Sequence, residues 1–466
     1  MTGTRLPDGF VVRLASRTRV RESGRVLVGG APTRVTRLTP AAARLITSGE
    51  LVVRDARTRR LAELLVASGL ADPIAARLPP VDLGELTVVV PVHDRARQLT
   101  RLLASIPGGV AETIVVDDAS RDGLGIADAA RRHRATLVRR ETNGGPAAAR
   151  NLGLSRVATR FVAFVDSDVT LEEGALATLL RHTADPRVAL VAPRVVGAPT
   201  EAPNALTRYE DARSSLDLGD DAALVRPGTP VSWVSSTCLV GRVDLLGEGF
   251  DAALRVGEDV DLVWRLVEHG LRIRFEPSAA VRHDHRTRIA AWAARKRFYG
   301  TGAHLLAVRH PGHVAPAILP LWGVALLALV ALQRPWATVG AAGILAVTVV
   351  RNARRIAHIA RPWSLALDLT ARSAAATLTQ GSALVLRHWW PVAAVAALLS
   401  RRARRIVVVA GVADAAVEYA RLRPRLDPVR FALARRLDDV AYGTGVWTSV
   451  VRGRSLRALL PRIVRG

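Results

Sequence analysis

Residues 161–168 read Phe-Val-Ala-Phe-Val-Asp-Ser-Asp: five apolar residues run directly into two acids that flank a serine. An apolar run of this length without alternation is typical of a strand that is covered on both faces of a parallel sheet. Similar runs recur on either side, separated by stretches with helical spacing. The predicted strands are residues 86–90, 112–116, 135–138, 161–165 and 188–191. We therefore predict a parallel α/β domain over residues 85–305.

The two acids that end the central run are the strongest functional signal. Asp166 and Asp168 stand at positions i and i+2 directly after a buried strand. Mg²⁺ and Mn²⁺ need hard oxygen ligands, and such a pair can supply part of the coordination sphere while a substrate diphosphate completes it. The sequence therefore predicts a Mg²⁺ or Mn²⁺ site at this position and does not distinguish the two ions.

Polar residues also follow the two preceding strands. Ligands of parallel sheets bind beyond the carboxyl ends of the strands, where carboxylates can accept hydrogen bonds from a base N–H or from ribose hydroxyls. Acidic strand caps without a ligand would give the same pattern. The candidate nucleoside-binding residues at these two ends are Pro91, His93, Asp94, Asp117 and Asp118.

Residues 143–150 read Asn-Gly-Gly-Pro-Ala-Ala-Ala-Arg and open a helix. Backbone amides at a helix N-terminus and a guanidinium group both suit a pyrophosphate. We therefore predict that Gly145 and Arg150 bind a pyrophosphate group; an ordinary start of a helix is the alternative.

A second acidic helix start comes at residues 257–266, Gly-Glu-Asp-Val-Asp-Leu-Val-Trp-Arg-Leu. A carboxylate at the beginning of a helix can be held close to a substrate and act as a general base toward an acceptor hydroxyl. Acids also favour this position because they interact with the helix dipole. In the order of these motifs, Glu258 and Asp259 are the predicted catalytic residues.

Taken together, the five motifs resemble the family 2 inverting glycosyltransferases of the GT-A fold. They are VVPVHDR, VVDDAS, NGGPAAARN, FVDSD and GEDVDLVWRL, in this order within residues 85–305. The resemblance implies a metal-assisted, in-line displacement at the anomeric carbon, with departure of a nucleoside diphosphate and inversion to a β-linkage from an α donor.

The resemblance also implies roles for individual residues. Asp94 and Asp118 match the family's nucleoside site, and Arg150 matches a residue near the donor. Asp166 and Asp168 match the metal-diphosphate motif, where Asp166 also contacts the nucleotide sugar, and Asp259 matches the catalytic base. His283 stands where several members place a histidine on the metal or the diphosphate; a surface turn is the alternative.

Residues 1–80 precede this domain with short apolar runs, a Gly29-Gly30 turn and two predicted helices. The first helix opens at Thr39-Pro40, and the second spans residues 59–68 and closes at Gly69. We interpret this region as a small winged-helix-like unit, and it resembles the peptide-chaperone modules of the PqqD type.

A module of this type, a family 2 domain and a membrane-associated tail together resemble the mycofactocin glycosyltransferases. This resemblance implies a peptide-derived redox cofactor as acceptor, UDP-glucose as donor and a short β-1,4-glucosyl chain as product. A transferase that builds a cell-wall or lipid-linked polysaccharide would use the same five motifs and is the alternative.

Residues 311–466 are expected to form a membrane-associated helical region. Residues 314–332 contain no charge over nineteen positions, and residues 337–350 add fourteen more, so we predict a transmembrane hairpin near 314–350. The second arm is short, and a re-entrant or buried helix is its alternative. The arginines that follow favour a cytoplasmic face, so we expect a cell-membrane protein whose catalytic domain lies on the cytoplasmic side.

The net charge of the chain limits the classes of binding partner that we expect. Lys and Arg exceed Asp and Glu by 66 to 41, a net charge of +25, which fits anionic lipid, phosphorylated small molecules or nucleic acid. A recognition helix and interleaved aromatic residues are missing from the sequence, so we expect no nucleic-acid partner. Cys238 is the single cysteine, which excludes an intrachain disulfide.

Overall fold

The computed structural model describes residues 5–465 and divides into two compact units. The first runs to Thr200 and resumes over Ser214–His285; the second consists of Glu201–Arg213 and the chain from Arg286 onward. The first unit contains both the N-terminal module and the α/β domain.

Within residues 5–80 the module forms two three-stranded antiparallel sheets, in the orders β5-β1-β6 and β2-β3-β4. The elements are β1 (Val11–Leu14), β2 (Arg19–Arg21), β3 (Val26–Gly29), β4 (Arg34–Arg37), α1 (Pro40–Leu45), β5 (Glu50–Val52), α2 (Ala56–Ser68) and β6 (Ala71–Pro73). Thr39 caps α1 through its side chain, as predicted. Gly69 ends α2 with φ 67°, also as predicted, whereas the start lies earlier because Asp55 forms a capping box with Thr58.

The α/β domain alternates strands and helices as the sequence predicts. Its elements begin with β7 (Leu86–Val92), α3 (Ala96–Ser105), β8 (Glu112–Asp117), α4 (Gly123–Arg132), β9 (Thr136–Arg139), α5 (Pro146–Leu154), β10 (Phe161–Val165), β11 (Val169–Leu171), α6 (Ala175–Arg181) and β12 (Val188–Gly197). After α7 (Ala205–Arg213), which belongs to the second unit, it continues with β13 (Ala223–Leu224), β14 (Cys238–Arg242), α8 (Glu258–Glu268) and β15 (Arg272–His283).

The sheet is mixed, which corrects the prediction of a parallel sheet. Its order is β11-β15-β12-β14-β10-β7-β8-β9, with β13 beside β15. The pairs β10·β7, β7·β8 and β8·β9 are parallel, but β14 runs antiparallel to both β10 and β12. All five residues of β10 are buried, and so is Cys238 in β14. The fold is an α/β, GT-A-like architecture in which the centre of the sheet is the core.

The second unit is helical. It contains α9 (Ile289–Gly300), α10 (Ala303–Arg309), β16 (Ile318–Pro320), α11 (Leu321–Leu332), α12 (Pro335–Arg355), α13 (Pro362–Ala383), α14 (Trp390–Leu399), α15 (Arg401–Leu422), α16 (Pro428–Gly453) and β17 (Arg462–Val464). β16 pairs with β17 in parallel.

The first arm of the predicted membrane hairpin is shorter than expected. Residues 318–320 form β16, so that α11 has only 12 residues, roughly 18 Å at 1.5 Å per residue, short of a hydrocarbon core of about 30 Å. Over residues 5–465, one helix, α12, has the length and apolarity to cross a membrane. The number becomes two if α13 and α14, bent by 89°, are taken as one span.

Candidate active site

The parallel strands β7, β8 and β10 end at one edge of the sheet, and the predicted acids lie there. Asp94 follows β7 with φ 53°, a left-handed conformation, and its backbone N–H donates to Ser120 Oγ at 3.0 Å. The Arg121 N–H donates to Asp94 Oδ1 at 2.7 Å. The Asp94 carboxylate is 37% exposed, so one of its oxygens remains accessible to a ligand.

Two residues predicted with Asp94 fix the positions of the strand ends. Pro91 lies inside β7, opposite Val116 of β8, and is buried. His93 Nδ1 lies 2.9 Å from the carbonyl oxygen of Asp118. This contact ties the end of β7 to the end of β8, and contact of Pro91 or His93 with a nucleotide sugar stays a prediction.

Asp117 and Asp118 are buried and already hydrogen-bonded. Asp117 accepts from the Ser120 N–H at 2.9 Å and from the guanidinium of Arg139. Asp118 accepts from Gly144 N–H at 3.0 Å, Gly145 N–H at 2.8 Å and Arg140 Nη1 at 2.6 Å. These bonds hold the glycine loop before α5 against the end of β8, and direct contact of either carboxylate with a nucleoside stays a prediction.

Arg150 on α5 links two acidic motifs that are far apart in the chain. Its side chain is 2% exposed. Its guanidinium donates to Asp166 Oδ1 at 2.5 Å and to Glu258 Oε1 at 3.1 Å, and it lies over the ring of Phe250, 5.2 Å from the centroid. Arg150 therefore positions the two carboxylates. Its contact with a pyrophosphate stays a prediction.

Asp168 lies between two basic groups. Arg95 at the start of α3 forms an ion pair with it, and His283 Nε2 lies 3.5 Å from Asp168 Oδ2. The histidine reaches this position because β11 pairs antiparallel with β15, with Val169 opposite His283. Burial alone would raise the pKa of Asp168, but the hydrogen bond and charge of His283 and the charge of Arg95 hold it well below its usual range.

The Glu-Asp pair opens α8. Asp259 accepts from the Ser236 N–H at 3.1 Å and from the Val260 N–H at 2.8 Å, which fixes its carboxylate in one orientation. Burial raises the pKa of Asp259 although both hydrogen bonds oppose the shift. Burial and the neighbouring Asp259 raise the pKa of Glu258 to about 7, against the opposing charge of Arg150.

Several residues that organise the site were not predicted from the sequence. They are the basic partners Arg95, Arg139 and Arg140 and the backbone groups of Ser236 and Thr237, of which the Thr237 carbonyl accepts from the Asp166 N–H at 3.0 Å. The only available signal for the arginines was their placement within a few residues of two strand ends, those of β7 and β9. The predicted acids, Arg150 and His283 are brought together at one edge of the sheet.

The chain is similar in sequence to known glycosyltransferases. The sequence profile of Glycosyl transferase family 2 matches residues 87–250. Proteins named pre-mycofactocin glycosyltransferase, from two strains of Mycobacterium tuberculosis, are 44% identical over 477 residues, which cover 99% of this chain and 100% of theirs. The succinoglycan biosynthesis protein ExoO of Rhizobium meliloti is 29% identical over 223 residues, 43% of this chain and 61% of its own.

Among solved structures, the mannosyltransferase PcManGT from Pyrobaculum calidifontis, in complex with GDP-Man and Mn²⁺, is 22% identical with a TM-score of 0.39. The alignment covers 65% of this chain and 89% of that one.

The GT-A-like sheet and the acidic edge are features of nucleotide-sugar transferases. With a relative 44% identical over the full length, this chain belongs to glycosyltransferase family 2. The family resemblance predicted from the five motifs is thereby confirmed, and the protein is a glycosyltransferase.

Proposed function

We propose that this protein transfers hexosyl units, with UDP-glucose as donor, to pre-mycofactocin, a peptide-derived redox cofactor precursor, and that it inverts the anomeric centre. The observation that supports the proposal most is the extent of the 44% identity, which covers 99% of the chain. The family profile alone matches residues 87–250, so the likeness to the pre-mycofactocin enzymes extends through the N-terminal module and the helical unit.

In the proposed reaction Asp259 is the general base. Its carboxylate is oriented by two backbone N–H groups, and its raised pKa makes it a stronger base than an ordinary aspartate. Asp259 takes the proton of an acceptor hydroxyl, whose oxygen forms the new bond to the anomeric carbon. The bond from that carbon to the diphosphate oxygen breaks on the opposite face, so the configuration inverts.

Glu258 has a different task. It shares Arg150 with Asp166, so that α5, α8 and the end of β10 are joined through one guanidinium. Because Arg150 is buried, its charge has to be balanced by nearby carboxylates. We propose that Glu258 positions Arg150, and through it Asp166, and does not contact the acceptor.

Asp166, Asp168 and His283 are the proposed holders of Mg²⁺ or Mn²⁺. The donor set fits such an ion: two carboxylates offer hard oxygens, the low pKa keeps Asp168 ionised, and an imidazole nitrogen lies 3.5 Å from that carboxylate. When bound, the ion would neutralise charge on the departing diphosphate. Arg95, paired with Asp168, adds a second positive charge at the same place.

We also propose that the helical unit attaches the protein to the cell membrane, with the catalytic domain on the cytoplasmic side. Only 17% of the apolar window of α12 is buried, and Trp336, Val339 and Val347 are exposed. Arg354 and Arg355 in its last turn fit the positive-inside tendency.

Donor and metal are tested with the purified full-length protein in detergent. UDP-glucose, UDP-GlcNAc and GDP-mannose are compared with pre-mycofactocin as acceptor, each with Mn²⁺ and with a chelator, and product formation is quantified. Turnover with UDP-glucose that needs the metal, and a β-linkage by NMR, are expected. Equal turnover with chelator would contradict the metal site, and an α-linkage would contradict inversion.

A further inference from the structure

A second polar site lies between the N-terminal module and the α/β domain. It is a cavity of about 300 Å³. We call it the arginine cavity; its lining consists of Ala67, Arg187, Leu224, Val225, Arg226, Val267, Gly270, Leu271 and Arg272. This volume is at the lower end of small-molecule sites.

The arginine cavity lies at the opposite edge of the sheet from the acidic site. β14 is antiparallel to both β10 and β12, so β12 runs in the direction of β10, and β15 is parallel to β12. Arg187 and Arg272 stand at the beginnings of β12 and β15, whereas Asp166 follows the end of β10. The cavity is therefore separate from the proposed donor site.

The charges of the cavity are incompletely balanced by the protein. Arg272 pairs with Asp185 at 2.5 Å, and Arg187 donates to the carbonyl oxygen of Gly270 at 2.9 Å. The side chain of Arg226 makes no hydrogen bond or ion pair within residues 5–465, and the lining contains no acidic residue. Three guanidinium groups thus face one carboxylate, that of Asp185.

The unbalanced positive charge of the arginine cavity affects the pKa of Arg226. Burial, followed by the charges of Arg272, Arg34 and Arg187, lowers the pKa of Arg226. Like charges that are gathered around a concave site without a counter-charge destabilise the folded protein, and an anion that binds there relieves the repulsion.

We propose that the arginine cavity binds an oxyanion, a phosphate or a carboxylate, that is attached to a small apolar body. The guanidinium groups of Arg187 and Arg226 would hold the anion through charge-assisted hydrogen bonds. Leu224, Val225, Val267 and Leu271 supply the apolar part of the wall. The ligand would be shared by the module, through Ala67, and the α/β domain.

Inorganic phosphate, pyrophosphate and acetate are the probes. Each is titrated at constant ionic strength into the full-length protein without divalent metal, and the thermal midpoint and the heat of binding are measured. The proposal predicts that at least one probe raises the midpoint of the wild-type protein. A response to the phosphates alone identifies a phosphorylated ligand, and a response to acetate alone identifies a carboxylate.

Arg226→Gln is the deciding variant, and Arg131→Gln, an exposed arginine on α4, is its matched control. Affinity for the effective probe should fall about tenfold in Arg226→Gln and stay unchanged in Arg131→Gln. Without anion, Arg226→Gln should melt no lower than the wild type because a like-charge repulsion is removed. UDP binding with Mn²⁺ should be equal in all three proteins.

Arg187→Gln, at the exposed rim, repeats the test if Arg226→Gln fails to fold. Equal affinity for the probe in the wild type, the arginine-cavity variants and Arg131→Gln would overturn the proposal. So would a wild-type protein that responds to none of the three anions.

Discussion

At the scale of single residues, the site depends on carboxylates whose neighbours give them different properties. Asp168 is held ionised by His283 and Arg95, whereas burial raises the pKa of Glu258 and Asp259. Separation of pKa values among acids in one site is how a protein assigns binding and proton transfer to different groups. We propose that Asp168 helps to hold the metal ion and that Asp259 takes the proton of the acceptor hydroxyl.

The role of Asp259 is tested with Asp259→Asn. The amide keeps the shape and one acceptor oxygen but takes no proton, so the turnover number should fall about 10²- to 10⁴-fold. The KM for the donor should change little, because the metal-site acids are intact. Steady-state kinetics with varied donor separates the two parameters.

Asp128→Asn is the matched control, since Asp128 lies on the surface of α4 and pairs with exposed arginines. Its kinetics should equal those of the wild type. An Asp259→Asn protein with wild-type turnover would remove Asp259 from the mechanism.

Glu258 predicts a pH dependence of stability. Its pKa is about 7 in the folded protein, against 4.5 for the free group, so the folded state retains the proton longer than the unfolded state. Stability that depends on Glu258 is therefore present at low pH and is lost as the pH rises from 4.5 to 7, a change of about 1–3 kcal/mol. Urea unfolding at pH 5 and pH 8 measures it.

Glu258→Gln is the control for this effect because glutamine resembles the protonated acid. The free energy of unfolding of the wild type, relative to that of Glu258→Gln, should decrease between pH 5 and pH 8. A difference that stays constant or increases with pH would contradict a raised pKa.

The acids could be predicted from the sequence, but their partners could not. A carboxylate directly after an apolar run must lie at a strand end, so the positions of Asp94, Asp118 and Asp166 follow from local pattern alone. That Arg150 joins Asp166 to Glu258 depends on contacts between residues 108 positions apart, which local pattern does not contain.

At the scale of elements, the glycine loop before α5 connects the end of β8 to the proposed donor site. Gly145 has φ 86°, and its amide donates to Asp118. A Cβ at this position would lie 3.3 Å from Nη1 of Arg255. The backbone conformation requires glycine here, whereas the exposed Arg255 side chain could move aside.

Gly145→Ala should reduce both stability and donor affinity. Gly145 has φ 86° and ψ 173°, a backbone conformation that is essentially restricted to glycine, so alanine there should cost about 1–3 kcal/mol, and relief of that strain would move the amide away from Asp118. Gly174, with φ 72° and nothing within 4 Å of a Cβ, is the matched position outside the site. Gly174→Ala should lose less stability, because Gly174 has the ordinary left-handed conformation with ψ −2°, and it should keep donor affinity, as measured by calorimetric titration of UDP. Equal affinities in the two variants would contradict the role of the loop.

The parallel strands β7, β8, β9 and β10 were predicted well. The direction of a strand and the interruption of a long apolar run were predicted poorly. β14 (Cys238–Arg242) was not among the predicted strands, and its sequence carries no signal that it runs antiparallel to β10. Residues 314–332 are uncharged throughout, yet β16 interrupts them because Ile318 pairs with Arg462, far along the chain. Long-range pairing overrides apolar length in both cases.

At the scale of the whole molecule, the N-terminal module is joined to the α/β sheet by a buried ion pair. Arg274 of β15 is 1% exposed and donates to Asp72 of β6 at 2.5 Å. Burial raises the pKa of Asp72, and the charge of Arg274 opposes the shift. The module and the transferase domain should therefore unfold together.

Asp72→Asn tests this coupling. Removing one partner leaves Arg274 charged in the interior, so the free energy of unfolding should fall by about 3–5 kcal/mol. Asp8→Asn breaks an exposed pair with Arg59 in the same module and should have little effect. Chemical denaturation followed by circular dichroism, which reports on the whole chain, measures both; equal, small effects would show that the ion pair does not join the two parts.

The most direct measurement is mass spectrometry of pre-mycofactocin after incubation with the full-length protein, UDP-glucose and a divalent metal, with Asp259→Asn and Asp128→Asn in parallel. Our account predicts serial hexose additions by the wild type and by Asp128→Asn, and none by Asp259→Asn. Release of UDP without hexose on pre-mycofactocin would contradict the acceptor and favour a cell-wall or lipid-linked glycan, and undiminished transfer by Asp259→Asn would contradict the catalytic base.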